Sequence, residues 1–107
     1  MTIEEMKKKL ETVLKPKRFN HSVNVMGTAI ELADKYGVDK EKAAIAGLLH
    51  DCARDIKGER VFELCDGYGI KVDYITRRQP ELLHGPIGSK LAISEYDLSD
   101  REILDAI

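Results

Sequence analysis

Seven consecutive residues, Ala43-Ala44-Ile45-Ala46-Gly47-Leu48-Leu49, carry no polar side chain. A helix of that composition, expected from about Lys40 to Ala53, is apolar on nearly every face and is stable only when other elements surround it. No stretch of the chain approaches the ~18 apolar residues of a bilayer-crossing helix. The helix is therefore expected at the centre of a soluble bundle. Small residues at 43, 44, 46 and 47 let its neighbours approach closely.

The rest of the chain supplies those neighbours. Apolar residues recur at helical spacing almost throughout and strict alternation is brief, so the fold class is all-α. Met6, Leu10, Val13 and Leu14 form the stripe of a first helix, which Pro16 ends. A second helix starts near Arg18 with Phe19, Val23, Met26, Ile30 and Ala33 on one face and stops at Tyr36-Gly37. Asp39 caps the third. Gly58 to Leu64 is a short fourth helix, ended by Gly67-Tyr68-Gly69, and Ile70 to Tyr74 is a loop. Pro80 and Pro86 bracket a turn or helical fragment containing His84, and Ile87 to Tyr96 is a further helix with Pro86 in its first turn. Ser99 and Glu102 are spaced as a capping box for a last helix that stops at Ile107 after about two turns, so a longer protein is expected to continue beyond it.

With 107 residues, 43% hydrophobic and 34% charged, the chain is one domain or part of one, not a disordered, collagenous or coiled-coil array. Its net charge of -2 gives no overall pull toward nucleic acid or membrane, so an anionic ligand must be held locally. The run Lys7-Lys8-Lys9 is faced by Glu4, Glu5 and Glu11 and forms a solvated helix face. Cys52 and Cys65 match neither a zinc pattern nor a disulfide framework, and the N-terminus lacks a signal peptide; a reducing cytoplasm is the expected compartment.

Three histidines fall beside helix-packing residues: His21, His50 and His84. Each alone is more simply a hydrogen-bonded boundary residue. His50, however, is followed by Asp51 at the end of a very apolar helix, where an unpaired carboxylate would cost several kcal/mol to bury. A divalent cation removes that cost by accepting a neutral imidazole and a carboxylate together, and two histidines with one aspartate suit iron or manganese better than a closed zinc site. Adjacent helix residues diverge by about 100°, so one ion reaches both only near a helix end or groove. His21, on the preceding helix, is the natural third donor. The alternative for Asp51 is a salt bridge to Arg54 or Arg18.

The order His21, then His50-Asp51, resembles the HD superfamily of metal-dependent phosphohydrolases. The surrounding stretches are more specific: Arg18-Phe19-Asn20-His21-Ser22, then Ala46-Gly47-Leu48-Leu49-His50-Asp51-Cys52-Ala53-Arg54-Asp55, then Pro80-Glu81-Leu82-Leu83-His84-Gly85-Pro86-Ile87-Gly88. Together they resemble the YqeK family of symmetrical diadenosine tetraphosphate hydrolases from about residue 18 to 107. The resemblance implies an HD-domain helical bundle of which residues 1–107 are the N-terminal and central part, its C-terminal helices missing. It implies His21, His50 and Asp51 as metal ligands, with iron as the first candidate and manganese or another transition metal next. It also implies nucleotide contacts at His21, at Asp51, Cys52, Ala53 and Arg54, and at His84. Arg54 stands where a lysine is commoner, Cys52 is expected to be a packing residue, and the family's later histidine and final metal-binding aspartate would lie beyond Ile107. The chain alone should then hold metal more weakly, or complete its shell with water or a neighbouring molecule.

In the chemistry so implied, a dinucleoside polyphosphate is cut to ADP by a metal-activated water, Arg54 takes phosphate oxygens and His84 donates to the phosphate or leaving oxygen. Gly85 and Gly88 would let a phosphate approach, Asp55 would orient Arg54 or support the site, and Arg77 and Arg78 add attraction or simply form a solvated loop. The implied partners include neither nucleic acid nor membrane, and a homodimer is allowed. Two alternatives remain open: an HD phosphohydrolase acting on another nucleotide, or a nucleotide-binding module without turnover.

Overall fold

The computed structural model describes residues 1–107 as seven α-helices and one 3-10 turn, with no strand. Helix α1 (Ile3–Val13) opens on a reciprocal cap in which Glu5 N–H donates to Thr2 Oγ1 at 3.2 Å and Thr2 N–H donates to Glu5 Oε1 at 3.0 Å. Its inward stripe is Met6 and Leu10, continued by Leu14. Val13, expected on that stripe, is 54% exposed, because the helix ends there and the extended backbone of Leu14 turns the next side chain inward instead.

Pro16 does not end α1, which has already stopped at Val13, but opens the next helix. It is the first residue of α2 (Pro16–Tyr36), which thus begins two residues before Arg18. Proline fits this position because its fixed φ is helical and its missing N–H would have had no partner. Gly37 ends α2 in the left-handed region at φ 70°, and Asp39 caps α3 (Lys40–Leu49) by accepting from Lys42 N–H at 3.0 Å.

Helix α3 is shorter than expected. From His50 to Asp55 the chain forms tight turns, with Cys52 N–H donating to Leu49 O, Arg54 N–H to Asp51 O and Ile56 N–H to Ala53 O. These turns bury Cys52 and Ala53 while Arg54 faces solvent.

Helix α4 (Glu59–Tyr68) runs past Leu64 and stops at Gly69, φ 70°. Helix α5 (Tyr74–Arg78) begins where a loop was expected, nucleated by reciprocal Asp73–Thr76 hydrogen bonds of 2.8 and 3.0 Å. After the 3-10 turn Pro80–Leu83, α6 (His84–Tyr96) starts three residues before Ile87, so His84 belongs to its first turn. Pro86 is tolerated there because first-turn amides have no intrahelical acceptor. The cap of α7 (Arg101–Ala106) is Asp100 rather than Ser99: its Oδ1 accepts from Glu102 N–H at 2.9 Å, and Lys42 of α3 holds its other oxygen at 3.1 Å.

The larger core joins α1, α3, α6 and α7 through Leu10, Leu48, Leu49, Ala92, Tyr96 and Ile103. A smaller one joins α4, the 3-10 turn and α6 through Val61, Cys65, Leu83 and Ile87. Helix α3 is the hub, as its composition requires. Its broadest seam is with α2 and is closest at Gly47, where a methyl would lie 3.1 Å from Met26 Cα and 3.2 Å from the Val25 carbonyl oxygen. No helix is long and apolar enough to cross a membrane.

Gly47→Ala should destabilise the protein by about 1–3 kcal/mol, since overpacking against backbone outweighs the gain in helix propensity. Gly27→Ala, inside α2 with nothing within 4 Å of the added methyl, should stabilise by about 0.5–1 kcal/mol. Urea midpoints of the two variants should move in opposite directions; equal shifts would show that the seam has slack.

Candidate metal centre

The α2–α3 seam places the rings of His21 and His50 edge to face, with centroids 5.7 Å apart. His50 is the C-cap of α3, still with helical dihedrals, and Asp51 opens the tight turn that follows, so the two neighbours stand at the helix end, where one ion can reach both. One donor atom each from His21, His50 and Asp51 lies within 4.8 Å of the others. Donors bound to one ion at ~2.1 Å sit about 3–4 Å apart, so closing the set takes about an ångström of side-chain movement.

The fit can be tested on His50. Its Nδ1 lies 2.7 Å from the Gly47 carbonyl oxygen, a last-turn acceptor. A carbonyl only accepts, so Nδ1 carries the proton and, in the neutral ring, Nε2 presents a lone pair. That nitrogen faces Asp51 Oδ2 at 3.2 Å. Two lone pairs opposed at this distance repel unless a proton or a cation sits between them. The donor chemistry therefore suits a metal ion, and the Gly47 carbonyl orients the ring for one.

Both alternative partners of Asp51 are also present, at longer range: Arg18 Nη1 is 3.7 Å from Oδ2 and Arg54 Nη1 is 3.9 Å from Oδ1. Neither distance is that of a hydrogen bond. Arg18 makes its shorter contact with Asp55, Nε to Oδ1 at 3.1 Å, and the other Asp55 oxygen accepts from Lys15 N–H at 2.8 Å. Asp55 thus orients Arg18 and not Arg54, which lies half exposed with only its distant contact to Asp51. Burial works to raise the Asp55 pKa, but the Lys15 amide and the hydrogen bond and charge of Arg18 outweigh it and hold the carboxyl below its ordinary range.

Other expected contacts are placed differently. The side chains of Cys52 and Ala53 are buried, 4% and 1% exposed, so a ligand can meet only their backbone. Burial pushes the Cys52 thiol up to about 12, which keeps it protonated, and its Sγ lies 3.5 Å from the Gly88 carbonyl oxygen. Gly88 is not open to a phosphate: a methyl on it would lie 3.3 Å from Ile107 Cγ2 and 3.4 Å from Cys52 Sγ, so its missing side chain is already used by packing.

His84 stands outside the donor cluster. Its Nε2 donates to Ile56 O at 3.0 Å, and its Nδ1 is buried without a partner. In this rotamer no donor is left for a phosphate. Arg77 and Arg78 lie over the rings of Phe62 and Tyr74.

Sequence reasoning missed the Gly47 carbonyl and the clamp by which Asp55 ties Lys15 to Arg18. The first was detectable as a histidine three residues after a glycine at a helix end. The second joins residues 40 apart and left no local signal.

The bundle and its donor set define a helical protein with a two-histidine, one-carboxylate site able to hold a metal ion. The HD domain model matches residues 18–107, and the chain belongs to the HD domain family. Relatives called symmetrical bis(5'-nucleosyl)-tetraphosphatase include one from Staphylococcus aureus, 38% identical over 100% of this chain and 55% of its own length. Another, from Bacillus subtilis, is 39% identical over 84% of this chain and 48% of its own. The crystal structure of a predicted HD superfamily hydrolase involved in NAD metabolism from Clostridium acetobutylicum superposes with a TM-score of 0.91 at 38% identity, covering 98% of this chain and 56% of that one. The chain spans about half the length of the curated relatives it matches.

A carboxyl held low in the fold contributes stability above its unfolded pKa of about 3.9 and loses it as pH falls through the lower folded value. Asp55→Asn should therefore cost about 1–3 kcal/mol at pH 7, and the gap to the unaltered protein should narrow below about pH 4. Urea unfolding at pH 7, 4 and 3 checks this; a gap independent of pH would show that the charge of Asp55 is unimportant.

Proposed function

We propose that this chain is the N-terminal and central part of an HD-domain hydrolase that cleaves diadenosine tetraphosphate symmetrically into two ADP molecules. The observation that carries the chemistry is the facing pair His50 Nε2 and Asp51 Oδ2, with His21 completing a three-donor cluster. The names of the relatives support the substrate.

His21, His50 and Asp51 would hold the ion, with iron as the first candidate and manganese next. A cation bound there lowers the pKa of its water and polarises a phosphoryl oxygen. The Gly47 carbonyl keeps the His50 proton on Nδ1, away from the donor face. Arg54, half exposed and lightly engaged, takes phosphate oxygens through its planar fork. The backbone of Cys52 and Ala53 lies beside it and meets the nucleotide without its side chains. His84 donates to the phosphate or leaving oxygen once its ring leaves the Ile56 carbonyl. A cytoplasmic setting suits this substrate and two free thiols.

A second reading, another nucleotide with a phosphoanhydride bond, is favoured by the name of the Clostridium acetobutylicum protein. Incubating the full-length protein with iron or manganese and either diadenosine tetraphosphate or NAD separates the two. Two equivalents of ADP are expected from the first; cleavage of NAD alone supports the second, and AMP plus ATP means asymmetric attack. No reaction with metal bound would leave a nucleotide-binding module.

His50→Ala should remove both bound metal and turnover, and Arg54→Ala should raise KM about tenfold with a smaller effect on kcat. Unchanged metal content in His50→Ala would overturn the ligand assignment.

A further inference from the structure

We infer that the cleft lined by Lys15, Lys17, Arg18, His21, Asp55 and Lys57 is a subsite for a chain of phosphoanhydride-linked phosphates. It lies between the start of α2 and the turn that follows α3 and has a volume of ≈ 440 Å³, beside a separate cavity of ≈ 390 Å³ lined by Cys52 and Tyr96. The two cavities differ in kind. The one beside Cys52 is mostly apolar, whereas the cleft has no hydrophobic side chain in its wall.

Four cationic side chains face one carboxylate in this cleft, a surplus of three positive charges on a chain whose net charge is -2. That single carboxylate is already spent, with Arg18 Nε on one oxygen of Asp55 and the Lys15 amide on the other. Lys15, Lys17 and Lys57 take part in none of the ion pairs of the chain, as is true of Lys8, Lys35, Lys71 and Lys90, but only these three line the cleft. Three lysines without a carboxylate partner around one concavity, beside Arg18, attract multivalent anions.

Charge sets the ligand class: apart from the His21 ring, the wall presents only charged side chains and their methylene stems. Ammonium groups on flexible stems bind phosphate as point charges, without the directional fork of arginine. The site should therefore count charges more than read shape. His21 belongs both to this wall and to the donor cluster, so phosphates beyond the one at the donor cluster have a continuous path into the cleft. Its role in substrate choice rests on the hydrolase reading; its affinity for polyphosphate does not.

Calorimetry of the full-length protein with inorganic phosphate, pyrophosphate and tripolyphosphate tests the subsite. Affinity should rise with each added phosphate and fall with salt. The double variant Lys17→Ala/Lys57→Ala should bind tripolyphosphate about tenfold more weakly and show a similar rise in KM for diadenosine tetraphosphate with kcat nearly unchanged. Lys71→Ala, which removes an exposed lysine outside the cleft, should change neither. Any contact of the probe with bound metal is common to all three proteins, so their difference belongs to the cleft.

Equal tripolyphosphate affinity in the unaltered protein and the double variant would overturn the subsite, as would an equal loss in Lys71→Ala. If the tripolyphosphate difference persists but diadenosine tetraphosphate is not cleaved, the subsite stands and the hydrolase reading falls. Cleavage with a KM and a tripolyphosphate affinity both indifferent to the double variant has the opposite meaning.

Discussion

Where α3 crosses α2, Gly47 sits against the Met26 backbone with no room for a side chain. The contact is a steric constraint with chemical results. It sets how far His21 stands from His50, because the two imidazoles extend from the same seam, one from each helix. The same residue supplies the carbonyl that fixes the His50 tautomer. Close packing and proton placement are thus settled at one position. The larger core, through Ile45, Leu48 and Leu49, holds α3 in place so that its end can be precise without being buried completely.

The electrostatic order around Asp51 follows from a second carboxylate. Asp55 draws Arg18 to itself at 3.1 Å and leaves it 3.7 Å from Asp51, too far to occupy that carboxylate's lone pairs. Had Arg18 been free, the simplest outcome would have been a direct Arg18–Asp51 salt bridge, with less of the carboxylate left for a cation. Asp55 also caps α2 from outside, since Lys15 brings no capping side chain of its own. One side chain therefore finishes a helix, positions a guanidinium and is itself the only acid in the basic cleft.

Much of this was legible in the sequence because composition left few choices. The run Ala43 to Leu49 could only be a central helix, and glycines at 37 and 69 ended helices where their spacing suggested. The convergence of His21, His50 and Asp51 in space follows the grouping suggested by an unpaired acid beside a histidine at a helix end. What escaped was decided by contacts distant in sequence. Ser99 and Asp100 are equally good caps locally, and Asp100 is chosen where Lys42 can also reach it. Residues 50 to 55 have no strong helix breaker, yet burial of Cys52 and Ala53 makes turns of them. His84 and Gly88 look alike in a linear motif but face different things: one ring rests on the Ile56 carbonyl, and one bare Cα admits Ile107.

Joining the site to a helix seam also limits how such a chain can change its length over time. One residue gained or lost between Gly47 and His50, or between His21 and Met26, swings a donor around its axis by about 100° while the packing face stays in register. Substitutions there can be absorbed by small shifts; a change of frame cannot. Length can therefore be gained or lost only in the surface connections if the donors are to keep their aim, and those two short intervals are the spacings the cluster requires.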